Sequence, residues 1–364
     1  MDVFEQIDDA AIEEERQALN YINPDQRKDR VVKGRPDNFN TWDDREFWRR
    51  FRLKKQTVEL LLSLIQDKIE HNTERNQCVP PMHQLLLALR FYATGTFYVT
   101  IGDFGGLHNS TICKIVKRVT KAIATLRPNF VKLPENREEI IAIQERFHNI
   151  ARFPRVIAAI DCTHIKIMSP GGDTAENYRN RKGFFSLNVQ AMCTANLQFV
   201  DIVARWPGSS HDSLIFNNSA AKYRCDRGDF GNGIVLGDSG YFLNNYLLTP
   251  LSNPRTQVEQ LYNESHIRSR NVIERCFGVW KRRFPVLSIG LRCKIPLAQD
   301  VIVAAAILHN LACSQSEGEP PSDPEVLIPQ QPEFPPVYAD NEGINSTSST
   351  RDGIINYFES LITQ

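Results

Sequence analysis

Residues 155–164, RVIAAIDCTH, run from an apolar, strand-like segment into a carboxylate at Asp161. Residues 233–240, GIVLGDSG, repeat the pattern and reach a second carboxylate at Asp238. Two such strands, side by side in one sheet, would hold their backbones about 4.8 Å apart and place the two acids next to each other. Like charges that close cannot both stay ionised unless a cation joins them. The two segments therefore predict a divalent-metal site.

Charge is balanced over the whole chain but segregated along it. The 364 residues carry 43 Lys or Arg and 43 Asp or Glu, so the net charge indicates no partner. Residues 104–134, however, contain no acid, and residues 265–294 contain Glu274 as their one acid. Basic blocks of this kind are compatible with a polyanionic partner such as DNA.

The cysteines and the apolar runs indicate an intracellular protein with no membrane segment. The eight cysteines form no CxxC pair and no zinc-finger spacing, which predicts reduced, buried thiols. The acidic N-terminus lacks the apolar core of a signal peptide. The longest apolar run, residues 301–308, is far shorter than the ~20 residues of a membrane span.

Composition and periodicity predict four segments. Residues 1–40 predict a mobile acidic arm with a short helix near residues 10–19. Residues 41–134 predict a helical region with a helix-turn-helix, and residues 135–313 predict an α/β nuclease domain. Residues 314–364 predict an acidic, Pro-rich tail that is disordered up to about residue 350 and then forms a small helix.

The helix-turn-helix prediction rests on a tight turn at Gly105-Gly106, followed by a helix over residues 112–126 that residues 109–111 would cap. Helix, turn and capped basic helix are the outline of that module. An ordinary amphipathic helix with a solvated basic face explains the outline about as well. The absence of acids favours nucleic acid. The candidate DNA-binding residues are Lys114, Lys117, Arg118 and Lys121.

The order of elements after residue 154 predicts how the two aspartates meet. After the opening run come predicted strands at 164–168, 185–191 and 199–204, a helix from Leu214, the Asp238 strand, and helices at 265–284 and 297–313. This order resembles that of a ribonuclease-H-like domain, in which three antiparallel strands are followed by a helix, a fourth strand and further helices. In that order the first and fourth strands are adjacent and parallel, which would make Asp161 and Asp238 neighbours.

Glu274 is the candidate for the third carboxylate that two hard cations would need. It lies about 100° of helical rotation from an apolar stripe formed by Ile273, Phe277, Trp280 and Phe284. All-carboxylate coordination suits Mg²⁺ or Mn²⁺. The corresponding chemistry is two-metal phosphodiester cleavage, with the ions about 3.5–4 Å apart. On another flank, a line of arginines at heptad spacing would border a path for a phosphate backbone: Arg268, Arg275 and Arg282.

The other polar candidates have structural explanations as well. Asp212, in the turn GSSHDS, is favoured as a helix cap, with a role at the metals second. A lone Asp161 would be a turn acid by about three to one, since Asp favours turns. Its combination with Asp238 and Glu274 weakens that explanation. We assign His164 and His211 to ordering the site rather than to metal ligation.

Five motifs together resemble the Harbinger-type transposases, and most closely the Harbinger transposase-derived nucleases of animals. They are AIDCTH, the basic turn before GFFSLNVQ (Arg179, Arg181 and Lys182), PGSSHDS, VLGDSGY and NVIERCFGVWKRRF. The resemblance covers about residues 81–314, and 35 residues separate Asp238 from Glu274, the spacing of the DDE arrangement. It implies a ribonuclease-H-like core with Asp161, Asp238 and Glu274 as the triad. It also implies a further metal-site position at Asp212 and an N-terminal helix-turn-helix region.

The resemblance also implies a Myb/SANT-like partner protein that supplies DNA binding and nuclear import. We therefore expect the chain in both nucleus and cytoplasm, and the helix at 109–126 would contact either DNA or that partner. A homo-oligomer is compatible with the sequence. The leading prediction is a Mg²⁺- or Mn²⁺-dependent DNA endonuclease whose DNA is positioned by Arg179, Arg181, Lys182, Arg275 and Arg282.

Two alternatives remain open at this level. One is a domesticated DNA- or partner-binding protein that retains the carboxylates and has lost cleavage. The other is a carboxylate metal hydrolase acting on small phosphate esters. That hydrolase would need a closed pocket and no basic stripe, so the arginines at heptad spacing count against it.

Overall fold

The computed structural model describes residues 34–71, 78–320 and 349–363. Within them the chain forms an α/β unit that begins at Pro36, with helices around one mixed five-stranded sheet. The predicted α/β class is therefore confirmed. The predicted helix near residues 10–19 and much of the predicted acidic tail lie outside the described residues. The boundaries of the four predicted segments stay predictions.

The sheet brings the first and fourth strands together, as the element order predicted. Its strands are β1 (Val156–Lys166), β2 (Ser186–Cys193), β3 (Phe199–Pro207), β4 (Ile234–Leu236) and β5 (Leu247–Leu248). Their order is β3-β2-β1-β4-β5. Strand β1 pairs antiparallel with β2 and parallel with β4, β2 pairs antiparallel with β3, and β5 is parallel to β4.

The centre of the sheet is buried on both faces. All eight residues of β2 are buried. Ala191 and Cys193 pack into one apolar core, and Met192 packs with Ile157 into a second core on the other side. Polar side chains placed at this centre therefore need partners within the protein.

Helices form the described chain before the sheet. They are α1 (Asp44–Phe51), α2 (Lys55–Ile69), α3 (Pro81–Thr94), α4 (Tyr98–Gly105), α5 (Asn109–Ala124), α6 (Arg127–Phe130) and α7 (Arg137–Ala151). The chain turns between α1 and α2 at Arg52, whose φ of 62° is left-handed. Asp43 caps α1, because its carboxylate accepts the N–H of Glu46 at 2.7 Å.

Helix α5 joins the N-terminal helices to the rest of the core. Its N-cap is His108, not one of the predicted residues 109–111. Its predicted apolar side is buried, with Ile112, Val116 and Ile123 in the same core as residues of the sheet. The basic side chains of Lys114, Lys117 and Lys121 stay exposed, as an amphipathic helix requires.

The remaining helices follow β3. They are α8 (Asp212–Asn217), α9 (Ala220–Asp226), α10 (Gln257–Arg283), α11 (Val286–Ile289), α12 (Ile295–Ser314) and α13 (Ser349–Ile362). Helix α10 begins eight residues before the predicted Ser265, because Thr256 and Glu259 form a capping box there. Pro296 lies in the first turn of α12, as predicted.

Helix α12 is the most apolar element. By length and composition it could cross a membrane, but 67% of its most apolar window is buried inside the protein, as in the core helix of a soluble protein. Its Asn310 ties the helix to the sheet edge, donating to the carbonyls of Phe130 and Phe199 and accepting the Phe199 N–H. No disulfide joins the eight cysteines, all of which lie in the described ranges.

Candidate metal and nucleic-acid site

Asp161 lies on β1, and Asp238 lies at the equivalent position two residues past the end of the neighbouring strand β4. The last matched residues of the parallel β1–β4 pair are Ala159 and Leu236. Each aspartate follows its partner in that pair by two residues, so the two backbones remain about one strand spacing apart. The sequence suggested that β1 ends at Asp161. The strand instead continues to Lys166, because its second half pairs with β2.

Burial and repulsion raise the pKa of both aspartates. The Asp161 side chain is 17% exposed. Burial is the largest cause of its raised pKa, and the negative charge of Asp238 raises the pKa further. The Arg270 guanidinium opposes both effects. Burial also raises the pKa of Asp238, against a hydrogen bond from the Gly240 N–H at 2.9 Å, and the charges of Asp212 and Glu274 add to the rise. We call these four acids, Asp161, Asp212, Asp238 and Glu274, the carboxylate cluster.

Asp212 opens α8 but does not cap it. The N-cap is His211, which makes no side-chain cap bond, so the capping role favoured from the sequence is wrong. Asn188 of β2 instead donates its amide N–H to the Asp212 carboxylate at 2.9 Å. The Asp212 charge contributes to the raised pKa of Asp161, which places it with the other acids rather than with its own helix terminus.

Tyr241 anchors the loop that carries Asp238. Its side chain is buried, its hydroxyl lies 3.5 Å from Cys162 Sγ, and its ring packs edge-on against Phe216 with centroids 6.1 Å apart. Burial raises the pKa of Tyr241 well above its usual value, so the phenol stays neutral. The loop after β4 is thereby fixed directly beside β1.

Glu274 is linked to the aspartates through Arg270. Glu274 is 53% exposed. It lies at the edge of the buried face of α10, in keeping with its position next to the apolar stripe. Arg270, one turn earlier, donates to Glu274 Oε1 at 2.5 Å and to Asp161 Oδ2 at 3.1 Å. The Arg270 side chain is only 15% exposed. One guanidinium therefore neutralises carboxylates from the strand and from the helix.

Arg270 was not among the predicted site residues. It belongs neither to the apolar stripe of α10 nor to the line of arginines at heptad spacing. The signal that could have found it is spacing, since an arginine four residues before a glutamate lies on the same helix face. Its contact with Asp161 has no such signal, because the two residues are 109 positions apart.

The donor set of the carboxylate cluster fits a hard divalent cation. Carboxylate oxygens are the ligands that Mg²⁺ and Mn²⁺ prefer, and a cation would favour the ionised forms of Asp161 and Asp238, whose pKa values are raised by burial and by neighbouring acids. In the part of the chain that the structure describes, no three Asp, Glu, His or Cys side chains converge closely enough to enclose a metal ion. Two of the four acids, Asp161 and Glu274, are instead paired with Arg270.

The two histidines contact protein groups around the cluster. His164 Nδ1 lies 3.1 Å from Ser186 Oγ, and burial lowers the pKa of His164 to about 4. His211 Nδ1 lies 2.9 Å from the Arg181 guanidinium. Both rings hydrogen-bond to protein groups, which is compatible with the ordering roles that we assigned to them.

Lys281 places a second cation beside β1 and was not predicted to do so. It follows Glu274 by seven residues and so lies on the same face of α10. Its Nζ donates to Thr163 Oγ1 at 2.6 Å, and burial lowers its pKa to about 8.

Several of the predicted DNA-binding residues have partners within the protein. Arg179 pairs with Glu176 at 2.7 Å and its guanidinium stacks on the Phe185 ring at 4.3 Å. Arg118 donates to Gln84 Oε1 at 3.2 Å, and Arg268 pairs with Glu264 at 3.5 Å. Arg275 and Arg282 share Glu319, at 2.5 and 3.2 Å. Acids or amides hold these arginines in place. DNA phosphates would have to displace those groups or bind the arginines together with them.

Comparison with known proteins places the site in a nuclease family. Residues 160–310 match the family described as DDE superfamily endonuclease, and this range contains all four acids of the carboxylate cluster. The chain is 31% identical over 261 residues to the Homo sapiens protein named "Putative nuclease HARBI1", an alignment that covers 71% of this chain and 74% of that protein. It is 23% identical over 293 residues to the Arabidopsis thaliana "Protein ALP1-like", covering 74% and 71%. No solved structure matches the chain significantly. The chain therefore belongs to the DDE superfamily endonucleases, and within them to the Harbinger-derived nucleases.

Proposed function

We propose that the protein is a divalent-metal-dependent DNA endonuclease derived from a transposase. Its family membership supports the nuclease class. The observation that carries the finer proposal is the pair Asp161 and Asp238, which parallel pairing of β1 and β4 holds level within the matched region. Two acids held close together at a buried sheet centre repel each other, and a cation bound between them would offset that repulsion.

The proposed catalytic domain is ribonuclease-H-like, with Asp161, Asp238 and Glu274 as its catalytic carboxylates. Asp161, Asp238 and Glu274 would hold Mg²⁺ or Mn²⁺, and Asp212 would assist. Two such ions, when bound, supply activation of a water and stabilisation of the leaving oxygen of a phosphodiester. The chain's own part is positional. Strands β1 and β4 hold the two aspartates, Asn188 orients Asp212, and Tyr241 anchors the loop after β4.

DNA would approach the cluster along the exposed edge of α10. The 53% exposure of Glu274 means that the cluster opens at a surface, which favours a polymeric substrate over small phosphate esters. Arg181 contacts His211, the N-cap of α8 and the residue before Asp212. The backbone of the DNA would be positioned by residues of the 179–182 loop and of α10: Arg179, Arg181, Lys182, Arg268, Arg275 and Arg282.

The N-terminal helices would serve recognition. In this proposal residues 41–134 include a helix-turn-helix, and its helix α5 contacts DNA or a Myb/SANT-like protein through Lys114, Lys117, Arg118 and Lys121. Three of these side chains are exposed on one helix, which suits a phosphate backbone or an acidic protein surface. That partner would carry the chain from cytoplasm to nucleus, alone or as a homo-oligomer.

Plasmid cleavage tests the proposal. With Mg²⁺ or Mn²⁺, and with or without the Myb/SANT-like protein, the wild-type chain is expected to nick supercoiled DNA. Asp161→Asn is expected to slow nicking by at least about 10²-fold, because it removes a carboxylate ligand of the proposed catalytic cations. The matched control is Asp226→Asn on the surface of α9, where the carboxylate pairs with Lys222. Cleavage that survives Asp161→Asn in a protein with an unchanged circular dichroism spectrum would refute the site.

One observation favours a second function, a DNA- or partner-binding protein without cleavage. Arg270 engages both Asp161 and Glu274, and a carboxylate held by an arginine is less available to a metal. Titration calorimetry with Mn²⁺ separates the two functions. DNA binding without Mn²⁺ binding and without cleavage would support the second function, whereas Mn²⁺ binding that Asp161→Asn abolishes supports the endonuclease.

A further inference from the structure

The segment after α12 folds back onto the helices. The sequence predicted residues 314–350 to be disordered, but Glu317 is buried against α2. Its carboxylate accepts the Lys54 N–H at 3.0 Å and the Thr57 hydroxyl at 2.5 Å. Lys54 is the N-cap of α2 and supplies no side-chain cap of its own. Glu317 therefore caps a helix that lies more than 260 positions earlier in the chain, which no local pattern could indicate.

A buried ion pair fastens the same segment to α10. Arg283, the last residue of α10, lies 3.5 Å from Glu317, and both side chains are almost completely inaccessible. Arg283 also donates to the Gly318 carbonyl at 2.9 Å. Separating a buried pair leaves uncompensated charge, so such a contact is held tightly. Residue 319 is thereby kept next to α10.

Glu319 uses this position to bridge two arginines. It pairs with Arg275 at 2.5 Å and with Arg282 at 3.2 Å. The arginines are seven residues apart and so lie two turns apart on one helix face. The hydrogen bond from Arg275 lowers the pKa of Glu319, so its carboxylate is charged at neutral pH. We call Arg275 and Arg282 the arginine pair.

The arginine pair can bind either a carboxylate or a phosphate. Its guanidinium groups bind carboxylate and phosphate with the same planar geometry. Arg275 is 67% exposed and Glu319 is 41% exposed, so this contact is weak and salt-sensitive, unlike the buried tether at Glu317. The sequence that follows continues the negative charge, since residues 321–348 contain five acids and no Lys or Arg.

We propose that Glu319, tethered through Glu317, is an intramolecular competitor that covers the arginine pair until the phosphate backbone of DNA displaces it. The inference rests on the proposed DNA endonuclease function and names a regulation of its DNA-binding surface. DNA places phosphates on both arginines and displaces the Glu319 carboxylate. The tether at Arg283 keeps Glu319 close to the arginine pair, so Glu319 can bind again when the DNA dissociates.

Equilibrium binding of a fluorescent duplex to the full chain in EDTA tests the competitor without cleavage. Glu319→Gln is expected to tighten binding by about three- to tenfold near 0.1 M salt, because both arginines become available to phosphates. The slope of log K against log salt is expected to steepen by about 1 to 2. The matched control is Glu145→Gln, an exposed glutamate on α7, which removes the same charge and is expected to change affinity by less than about twofold.

A second variant keeps the outcome decisive. Replacing both Arg275 and Arg282 by Gln is expected to weaken binding and to cancel the gain from Glu319→Gln. Unchanged affinity in Glu319→Gln, or an equal gain in Glu145→Gln, overturns the competitor. If nicking that depends on Asp161 persists alongside such a result, the proposed function stands and the competitor alone fails. Absence of DNA binding and nicking in both wild type and Glu319→Gln overturns both.

Discussion

Helix α10 carries two arginine–carboxylate clusters that are alike in composition and opposite in burial. The inner cluster is Arg270 with Asp161 and Glu274, and the outer cluster is the arginine pair with Glu319. Arg270 is 15% exposed, whereas Arg275, five residues later, is 67% exposed. A rotation of about 140° around the helix axis separates those two arginines.

That rotation decides what each cluster can do. Charges withdrawn from water interact strongly, and removing one of them leaves the others uncompensated. Exposed pairs contribute little to stability and can change partners readily. The inner cluster is therefore suited to hold catalytic carboxylates in place, and the outer cluster is suited to trade a carboxylate for a phosphate.

Replacing Arg270 should have a larger effect on stability than replacing an exposed arginine of the same helix. Arg270→Met is expected to lower the free energy of unfolding by about 2–3 kcal/mol, somewhat less than for a fully buried pair, because Glu274 is half exposed. Urea denaturation measures this loss. Arg268→Met, on the opposite side of the same helix with its exposed partner Glu264, is expected to lose less than about 0.5 kcal/mol. Equal losses in the two variants would show that burial does not distinguish them.

Metal binding should respond to the inner cluster alone. Arg270 and a divalent cation compete for oxygens of Asp161 and Glu274, so Arg270→Met is expected to bind Mn²⁺ about tenfold more tightly, or about 1.4 kcal/mol. Titration calorimetry measures the affinity. Glu319→Gln should leave it unchanged. Weaker Mn²⁺ binding in Arg270→Met would mean that the arginine supports the ligands instead of competing for them.

The two clusters should also differ in their dependence on pH. The folded-state pKa of Asp161 is raised, so its ionisation lowers stability as pH rises through that pKa, and Arg270 limits this effect. The stability gap between wild type and Arg270→Met is therefore expected to narrow by about 1 kcal/mol when the pH falls from 8 to 5. The pKa of Glu319 is lowered, so this acid stays ionised over that range and the gap for Glu319→Gln should stay constant. Denaturation curves at both pH values would contradict this account if the Arg270→Met gap did not change.

Features with a local or topological cause could be predicted from the sequence. The long apolar helices were found because their periodicity is local, although α10 starts at a capping box that the apolar stripe does not reach. The level placement of Asp161 and Asp238 followed from the order of elements, since the first and fourth strands of that order lie side by side. The capping role of Asp212 was mispredicted. The preference for an acceptor at a helix start is a local signal, and it does not reveal that Asp212 accepts a hydrogen bond from Asn188 on the distant strand β2.

By itself, then, the sequence determined the α/β class, the four acids and their spacing, because apolar periodicity and strand order constrain them directly. Only the tertiary structure decided how the charges pair. Arg270 with Asp161, Glu317 with Arg283, and Glu319 with the arginine pair are contacts between distant segments. Each arginine had several acids available in the sequence. Packing selects the one that comes within about 4 Å, and burial then sets how strongly the two charges interact.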